Sequence, residues 1–200
     1  MRLLPAFLSP ERQRDLLAEV CAVVAHAPLY SPAMPRSGSP YSVRMSNCGS
    51  HGWLSDRSGY RYSATHPVTG APWPEIPRSI VELWHETTGV AYAPEACLIN
   101  CYGPTARLGL HRDQDEDARE APILSISLGD TALFRLGGPE RRSPTRSFRL
   151  GSGDLVVLEG PSRHWFHGVD RILPGTSRLL PEGGRINLTL RRVTVPCDRR

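Results

Sequence analysis

The apolar positions of this chain form two helix-like stretches and then a long run of short strands. Leu16, Leu17, Val20, Val23 and Val24 recur at helical spacing. They follow Ser9, a good N-cap, and Pro10, which suits the first helical position. Pro28 ends that helix. Ile80, Leu83, Trp84 and Thr87 share one face of a second helix predicted over 77–88, with Gly89 placed to close it. Residues 28–40 hold Pro28, Pro32, Pro35 and Pro40 and read as a loop that cannot be a central strand. Residues 41–75 set Tyr41, Trp53, Tyr60, Tyr62 and Trp73 among Gly, Ser, Asn and His. That turn-rich texture suits a binding surface better than a core, although Trp73, between two prolines, is expected simply to pack.

After Pro94 the texture becomes β. Strands are predicted over 96–102, 107–113, 122–128, 131–136, 146–150, 154–158, 164–169 and 185–193. Turn signals such as Gly137-Gly138, Pro174-Gly175 and Gly183-Gly184 separate them. Strands at this spacing predict a sandwich or barrel, the double-sheet jelly roll among them. The expected division is 1–94 as a helical flank and recognition lid within the same domain, 95–193 as the β core, and 194–200 as a tail.

The length of 200 residues suits one domain that needs no disulfide or metal staple. No apolar run approaches the ~18 residues of a membrane span, and the first ten residues do not form a signal peptide, so a cytoplasmic protein with no membrane partner is expected. The formal net charge is +4, and all 24 basic residues are Arg. A GC-rich genome writes Arg for Lys without any ligand being involved, so this balance permits a polyanionic partner and does not require one. Cys21, Cys48, Cys97, Cys101 and Cys197 form an odd, dispersed set without a Cys-x-x-Cys pair, which excludes a zinc ribbon and a thioredoxin motif and leaves buried thiols as the expectation.

Two patterns carry chemistry. On a strand, His111 and Asp113 would project from one face. With a distant His167 they would supply two imidazoles and a carboxylate, the set that holds non-haem Fe(II) and leaves three positions open. The alternative for the pair is a surface turn among Asp115, Glu116 and Asp117. The second pattern is residues 185–191, where Ile186, Leu188 and Leu190 form one face and Arg185, Asn187, Thr189 and Arg191 the other. The polar face either meets water or lines a pocket. In a pocket, the planar forks of the two Arg could take the two ends of a dicarboxylate. Leu98, Asn100 and Tyr102 share a face of another strand.

In the order His111-x-Asp113, His167 and Arg185, the sequence resembles the Fe(II)/2-oxoglutarate dioxygenases, and most closely the bacterial AlkB-like DNA dealkylation repair branch. The similar stretches include Asn47-Cys48-Gly49, Gly52-Trp53, Gly59 to Ser63, Pro72-Trp73-Pro74, Ala96 to Tyr102, His111 to Glu116, His167-Gly168 and Arg185 to Arg191. The resemblance implies a mainly β (α+β) double-stranded β-helix, or jelly roll, with N-terminal helices and a nucleotide-recognition lid. It implies that His111, Asp113 and His167 ligate iron and serve catalysis, with 2-oxoglutarate and O2 as cosubstrates. Arg185 would pair with the distal carboxylate of 2-oxoglutarate and Arg191 would sit by its keto-acid end. Asn100 and Tyr102 would hydrogen-bond the cosubstrate, with Asn187 lining its site. Trp53 would stack on an extruded alkylated base opposite His111, Tyr60, Arg61 and Tyr62 would form the lid, Asp115 would accept from the base's exocyclic amine, and Arg141 would line the substrate pocket. The implied reaction is oxidative demethylation of bases such as 1-methyladenine and 3-methylcytosine in single-stranded or duplex DNA, by a monomer. The alternatives are the same chemistry on RNA, or on a protein or small molecule.

Overall fold

The computed structural model describes residues 1–196. In chain order its elements are β1 (Arg2–Leu4), α1 (Pro10–His26), β2 (Val43–Gly49), β3 (Gly52–Asp56), β4 (Gly59–Ser63), α2 (Arg78–Thr88), β5 (Ala96–Tyr102), β6 (Leu108–His111), β7 (Ile123–Gly129), β8 (Thr131–Leu136), β9 (Arg146–Leu150), β10 (Leu155–Leu158), β11 (His167–Leu173) and β12 (Arg185–Arg191). A 3-10 turn spans Gly160–His164. The strands form a six-stranded sheet in the order β1-β10-β7-β12-β5-β2, a four-stranded sheet in the order β6-β11-β8-β9, and the β3-β4 hairpin. All pairings are antiparallel. This is a double-sheet jelly roll, one of the architectures that the strand spacing allows and the one that the family resemblance implies.

Both helices form where their caps are written. Ser9 Oγ accepts from the Arg12 amide, and Pro10 opens α1. Gly89 closes α2 at φ 71°, a left-handed conformation that costs glycine little. Leu16, Val20, Ile80, Leu83 and Trp84 press onto one face of the large sheet, against Ile99, Leu124, Ile126, Leu188 and Leu190. The other face packs against the small sheet through Met45, Leu98, Tyr102, Phe134, Leu136 and Val156. The large sheet is therefore buried on both sides, and the functional cavity opens within the second layer.

The N-terminal 94 residues are less separate than their composition suggests. β2 pairs along its whole length with β5, from Val43↔Tyr102 to Gly49↔Ala96, and Val43, Met45, Ser46, Asn47 and Cys48 are buried. The expected recognition surface over 41–75 thus contributes a core strand, and only the β3-β4 hairpin and its flanks stand over the cavity. β1 also joins the large sheet at its far edge. The strand expected over 164–169 starts at His167, because the preceding residues coil into the 3-10 turn. Trp73 packs with Ala27 and Leu54. Cys48 and Cys97 are buried cross-strand neighbours and Cys101 is half-buried, whereas Cys21 is exposed on α1 and departs from the buried-thiol expectation. Cys197 and the end of the expected tail lie outside the described residues.

Candidate active site

His111 and His167 face each other as register partners on β6 and β11. Their rings lie 4.6 Å apart, centroid to centroid. Gly168 makes this approach possible, since a Cβ there would come within 2.6 Å of the Leu108 carbonyl oxygen. β6 ends at His111, so Asp113 reaches the site from the following loop rather than from the strand face expected over 107–113. Its Oδ1 lies 3.8 Å from His111 Nε2 and its Oδ2 4.0 Å from His167 Nε2. One ligand atom from each of the three residues lies within 4.8 Å of the others, a span that one divalent ion can bridge.

The backbone sets both imidazoles for this role. His111 Nδ1 is 2.9 Å from the Gly109 carbonyl and His167 Nδ1 is 3.1 Å from the Trp165 carbonyl. A carbonyl only accepts, so each Nδ1 carries the proton and each Nε2 turns a lone pair to the centre. Burial, followed by the neighbouring His111, pushes His167 down to about 4, which keeps its ring neutral near pH 7. Burial alone would raise the Asp113 carboxyl. The charge of Arg191, helped by His167 and His111, outweighs that and holds it below the usual carboxylate range. A neutral His167 ring and an ionised Asp113 carboxylate are in the protonation states that metal binding requires.

The polar face of β12 lines a cavity of about 720 Å³ instead of meeting water. Arg185, Asn187, Thr189 and Arg191 all face it, together with Leu98, Asn100 and Tyr102 from β5. Asn187 and Asn100 are register partners, as are Arg185 and Tyr102. Asn187 is fully engaged, donating to Ser125 Oγ and the Ile126 carbonyl and accepting from Thr189. Arg185 is 2 % exposed and has no acid within ion-pair distance among the described residues. It donates to the carbonyls of Asp130 and Leu150 and to Ser127 Oγ. At the metal end, Arg191 donates through Nε and Nη2 to Asp113 Oδ2 at 3.1 and 2.9 Å.

Three buried side-chain polar atoms lack a partner among the described residues: Asn100 Oδ1, Arg185 Nε and Arg191 Nη1. All three belong to residues of this one wall. Unpaired buried donors on two cations are costly and ask for an anionic acceptor. The wall therefore fits a small dicarboxylate, with a cation at each end, next to a site that fits a non-haem metal ion.

Most of the other residues that the family resemblance marks gather at the same cavity. Trp53, Tyr60, Asp115 and Arg141 line it. Trp53 stacks on Tyr60, with centroids 5.6 Å apart and planes at 19°. The Trp53 indole donates to Asp115 Oδ2 at 2.9 Å, so Asp115 already holds a donor. Arg141 lies over the Phe166 ring. Two residues are placed elsewhere. Arg61 is exposed on the far face of the hairpin and pairs with Asp56 through two bonds of 2.8 and 2.6 Å. Tyr62 does not line the cavity, and its hydroxyl donates to Glu116 Oε1 at 2.5 Å. Sequence reasoning assigned no role to Glu116 or Arg163, which are 3 % and 1 % exposed. A carboxylate and a guanidinium with no periodic signal announce burial only through their partners.

Comparison with known proteins agrees with this geometry. The chain matches the 2OG-Fe(II) oxygenase superfamily over residues 1–191. It is 53 % identical over 188 residues to an alpha-ketoglutarate-dependent dioxygenase AlkB homolog of Caulobacter vibrioides, covering 94 % of this chain and 85 % of the relative. It is 40 % identical over 182 residues to the alpha-ketoglutarate-dependent dioxygenase AlkB of Escherichia coli, covering 89 % and 83 %. The solved structure of OsALKBH1 superposes with a TM-score of 0.83 at 31 % identity, covering 95 % of each chain. With a His111-Asp113-His167 cluster in place, the chain therefore belongs to the 2OG-Fe(II) oxygenase superfamily, as an AlkB-like Fe(II)/2-oxoglutarate-dependent dioxygenase.

Proposed function

We propose that this dioxygenase removes alkyl groups from nucleobases, with methylated DNA bases such as 1-methyladenine and 3-methylcytosine as its substrates. The observation that supports this most directly is the aromatic and acidic rim over the metal triad. Trp53 and Tyr60 offer flat faces, Asp115 offers an acceptor, and Arg141 adds a cation. A base inside a duplex cannot present a ring-nitrogen methyl group to a recessed metal, so it enters extruded or from a single strand. Stacking on such a platform is worth ~1–3 kcal/mol per base and tolerates different bases. A methyl group on the pairing edge weakens pairing and lowers the cost of extrusion.

His111, Asp113 and His167 would hold the iron, with Arg185 and Arg191 at the two ends of 2-oxoglutarate and Asn100 and Tyr102 along it. Held there, iron and 2-oxoglutarate would supply, with O2, the oxidising power for hydroxylation of the methyl carbon, and the products would be succinate, CO2, formaldehyde and the restored base. The protein's own share is placement. Arg191 holds Asp113 ionised and oriented. Asn187, held by Ser125, Ile126 and Thr189, keeps the cavity wall fixed. The apolar side chains of Met45, Leu98, Ile123 and Phe134 restrict water around the reacting carbon. The residues do not distinguish deoxyribose from ribose, so RNA is the competing substrate.

The test is mass spectrometry of a panel of methylated DNA and RNA oligonucleotides after anaerobic loading with iron and 2-oxoglutarate and then addition of oxygen. A mass loss of one methylene per lesion, abolished by a chelator and by Asp113→Ala, is expected. Succinate formation with no methyl loss from any oligonucleotide would move the substrate to a protein or small molecule.

A further inference from the structure

The hairpin that carries the aromatic platform grips the metal-ligand loop at two consecutive residues. Trp53 and Tyr62 are register partners on β3 and β4, so their side chains leave the same face of the hairpin. Trp53 bonds Asp115 and Tyr62 bonds Glu116. Asp115 faces the cavity, whereas Glu116 is turned into the protein and is a junction there. Its Oε1 also lies 3.3 Å from Arg191 Nε, and its Oε2 accepts from Arg163 Nη2 at 3.0 Å.

From this junction two short paths lead to the metal ligand. Arg191 holds the Asp113 carboxylate, and Arg163 Nη1 donates to the Asp113 carbonyl at 2.8 Å. Arg163 Nε also donates to the Ala121 carbonyl at 2.8 Å, so one buried guanidinium ties both ends of the loop that carries the ligand. Because β6 ends at His111, residues 112–116 have no strand ladder; backbone support resumes only where the Asp117 and Ala118 amides donate to the Val193 carbonyl. A loop ligand needs support from outside, and here that support is a charged network whose outermost member sits on the hairpin.

We propose that Tyr62 is a positioning residue that couples occupation of the hairpin to the setting of Asp113 and Arg191, through Glu116 and Arg163. The inference rests on the nucleobase reading and adds to it a route by which a seated base tightens the metal and cosubstrate end. Tyr62 touches neither, so its effect appears in coupling and not in affinity.

The test compares the wild type with Tyr62→Phe, which removes one hydroxyl and keeps the ring. Backbone amide exchange of residues 112–118 is measured in the metal-free protein, with and without a single-stranded oligonucleotide carrying 3-methylcytosine. The oligonucleotide should slow exchange of this loop in the wild type and slow it clearly less in Tyr62→Phe, where only the Trp53–Asp115 bond still ties the hairpin to the loop, while binding both proteins within about threefold of the same affinity. In turnover, kcat should fall about tenfold with KM for the oligonucleotide little changed, as one charge-assisted hydrogen bond is worth about that factor. Succinate formed per base repaired should rise. An equal loop response in both proteins overturns the proposal. So does a more than about tenfold loss of affinity in Tyr62→Phe, which would make Tyr62 a direct base contact. Should Tyr62→Phe not fold, Glu116→Gln carries the same comparison, with a weakened loop response in support and an unchanged one against. If the wild type does not bind the oligonucleotide at all, the nucleobase reading fails and the coupling falls with it; if it binds and its loop does not respond, only the coupling fails.

Discussion

Replacing Arg185 by Met separates what this arginine does for the fold from what it does for the ligand. The guanidinium is 2 % exposed, and burial draws it down to about 10, so it stays charged at pH 7. Among the described residues it has three hydrogen bonds to neutral acceptors and no acid partner, and its Nε bonds nothing. For the ligand-free protein two effects oppose each other. Met removes an uncompensated buried cation, which favours the variant. It also strands Ser127 Oγ and two carbonyls, at about 1 kcal/mol each. The net change in stability is therefore small, within about 2 kcal/mol either way. For 2-oxoglutarate the effects do not cancel, because the variant offers no partner for a carboxylate that must still be desolvated. A buried charge-assisted pair lost in this way costs about 3 kcal/mol, or roughly 150-fold in affinity. The assay is thermal unfolding with Mn2+ over a 2-oxoglutarate titration. The wild type should gain stability as the logarithm of ligand concentration once the ligand exceeds its dissociation constant, and the variant should not move over the same range. A variant that binds 2-oxoglutarate within about threefold of the wild type would refute the assignment of this end of the cavity.

Three further outcomes are expected. Trp53→Ala should weaken binding of a methylated oligonucleotide by ~1–3 kcal/mol and leave the 2-oxoglutarate response intact; equal losses of both would make the indole a structural element. His167 titrates near 4 in the folded protein against 6.5 in an open chain, so the unfolded state binds the extra proton between those values. Stability in the metal-free protein should be full above the upper value and fall as pH drops toward the lower one, by up to about 3 kcal/mol, and urea midpoints of His167→Gln should lack that component. Trp84 is 0 % exposed and its indole donates to the Tyr92 carbonyl, so Trp84→Ala should cost about 3–5 kcal/mol in denaturant unfolding, and a loss below ~1 kcal/mol would contradict its place at the centre of the helix-facing core.

The sequence by itself determined much of this protein. Because such signals act between residues close along the chain, caps at Ser9 and Gly89 and apolar spacing located both helices, and short apolar runs between turn signals located the β segments after Pro94 but not β1 to β4. The alternation of residues 185–191 separated a polar from an apolar face, and the family resemblance joined His111, Asp113 and His167 across more than fifty residues. Whether that polar face meets water or lines a pocket was decided only by the second sheet, which closes over it and buries two arginines, each with one nitrogen that has no partner among the described residues. Only tertiary structure moved β2 from recognition surface to core, since its pairing partner lies some fifty residues away and backbone hydrogen bonds along β5 outweigh the polar texture of its own sequence. The same holds for Tyr62. A tyrosine in an aromatic hairpin reads as a base contact, but its hydroxyl finds Glu116, and burial of charge, which has no local signature, sets where it points.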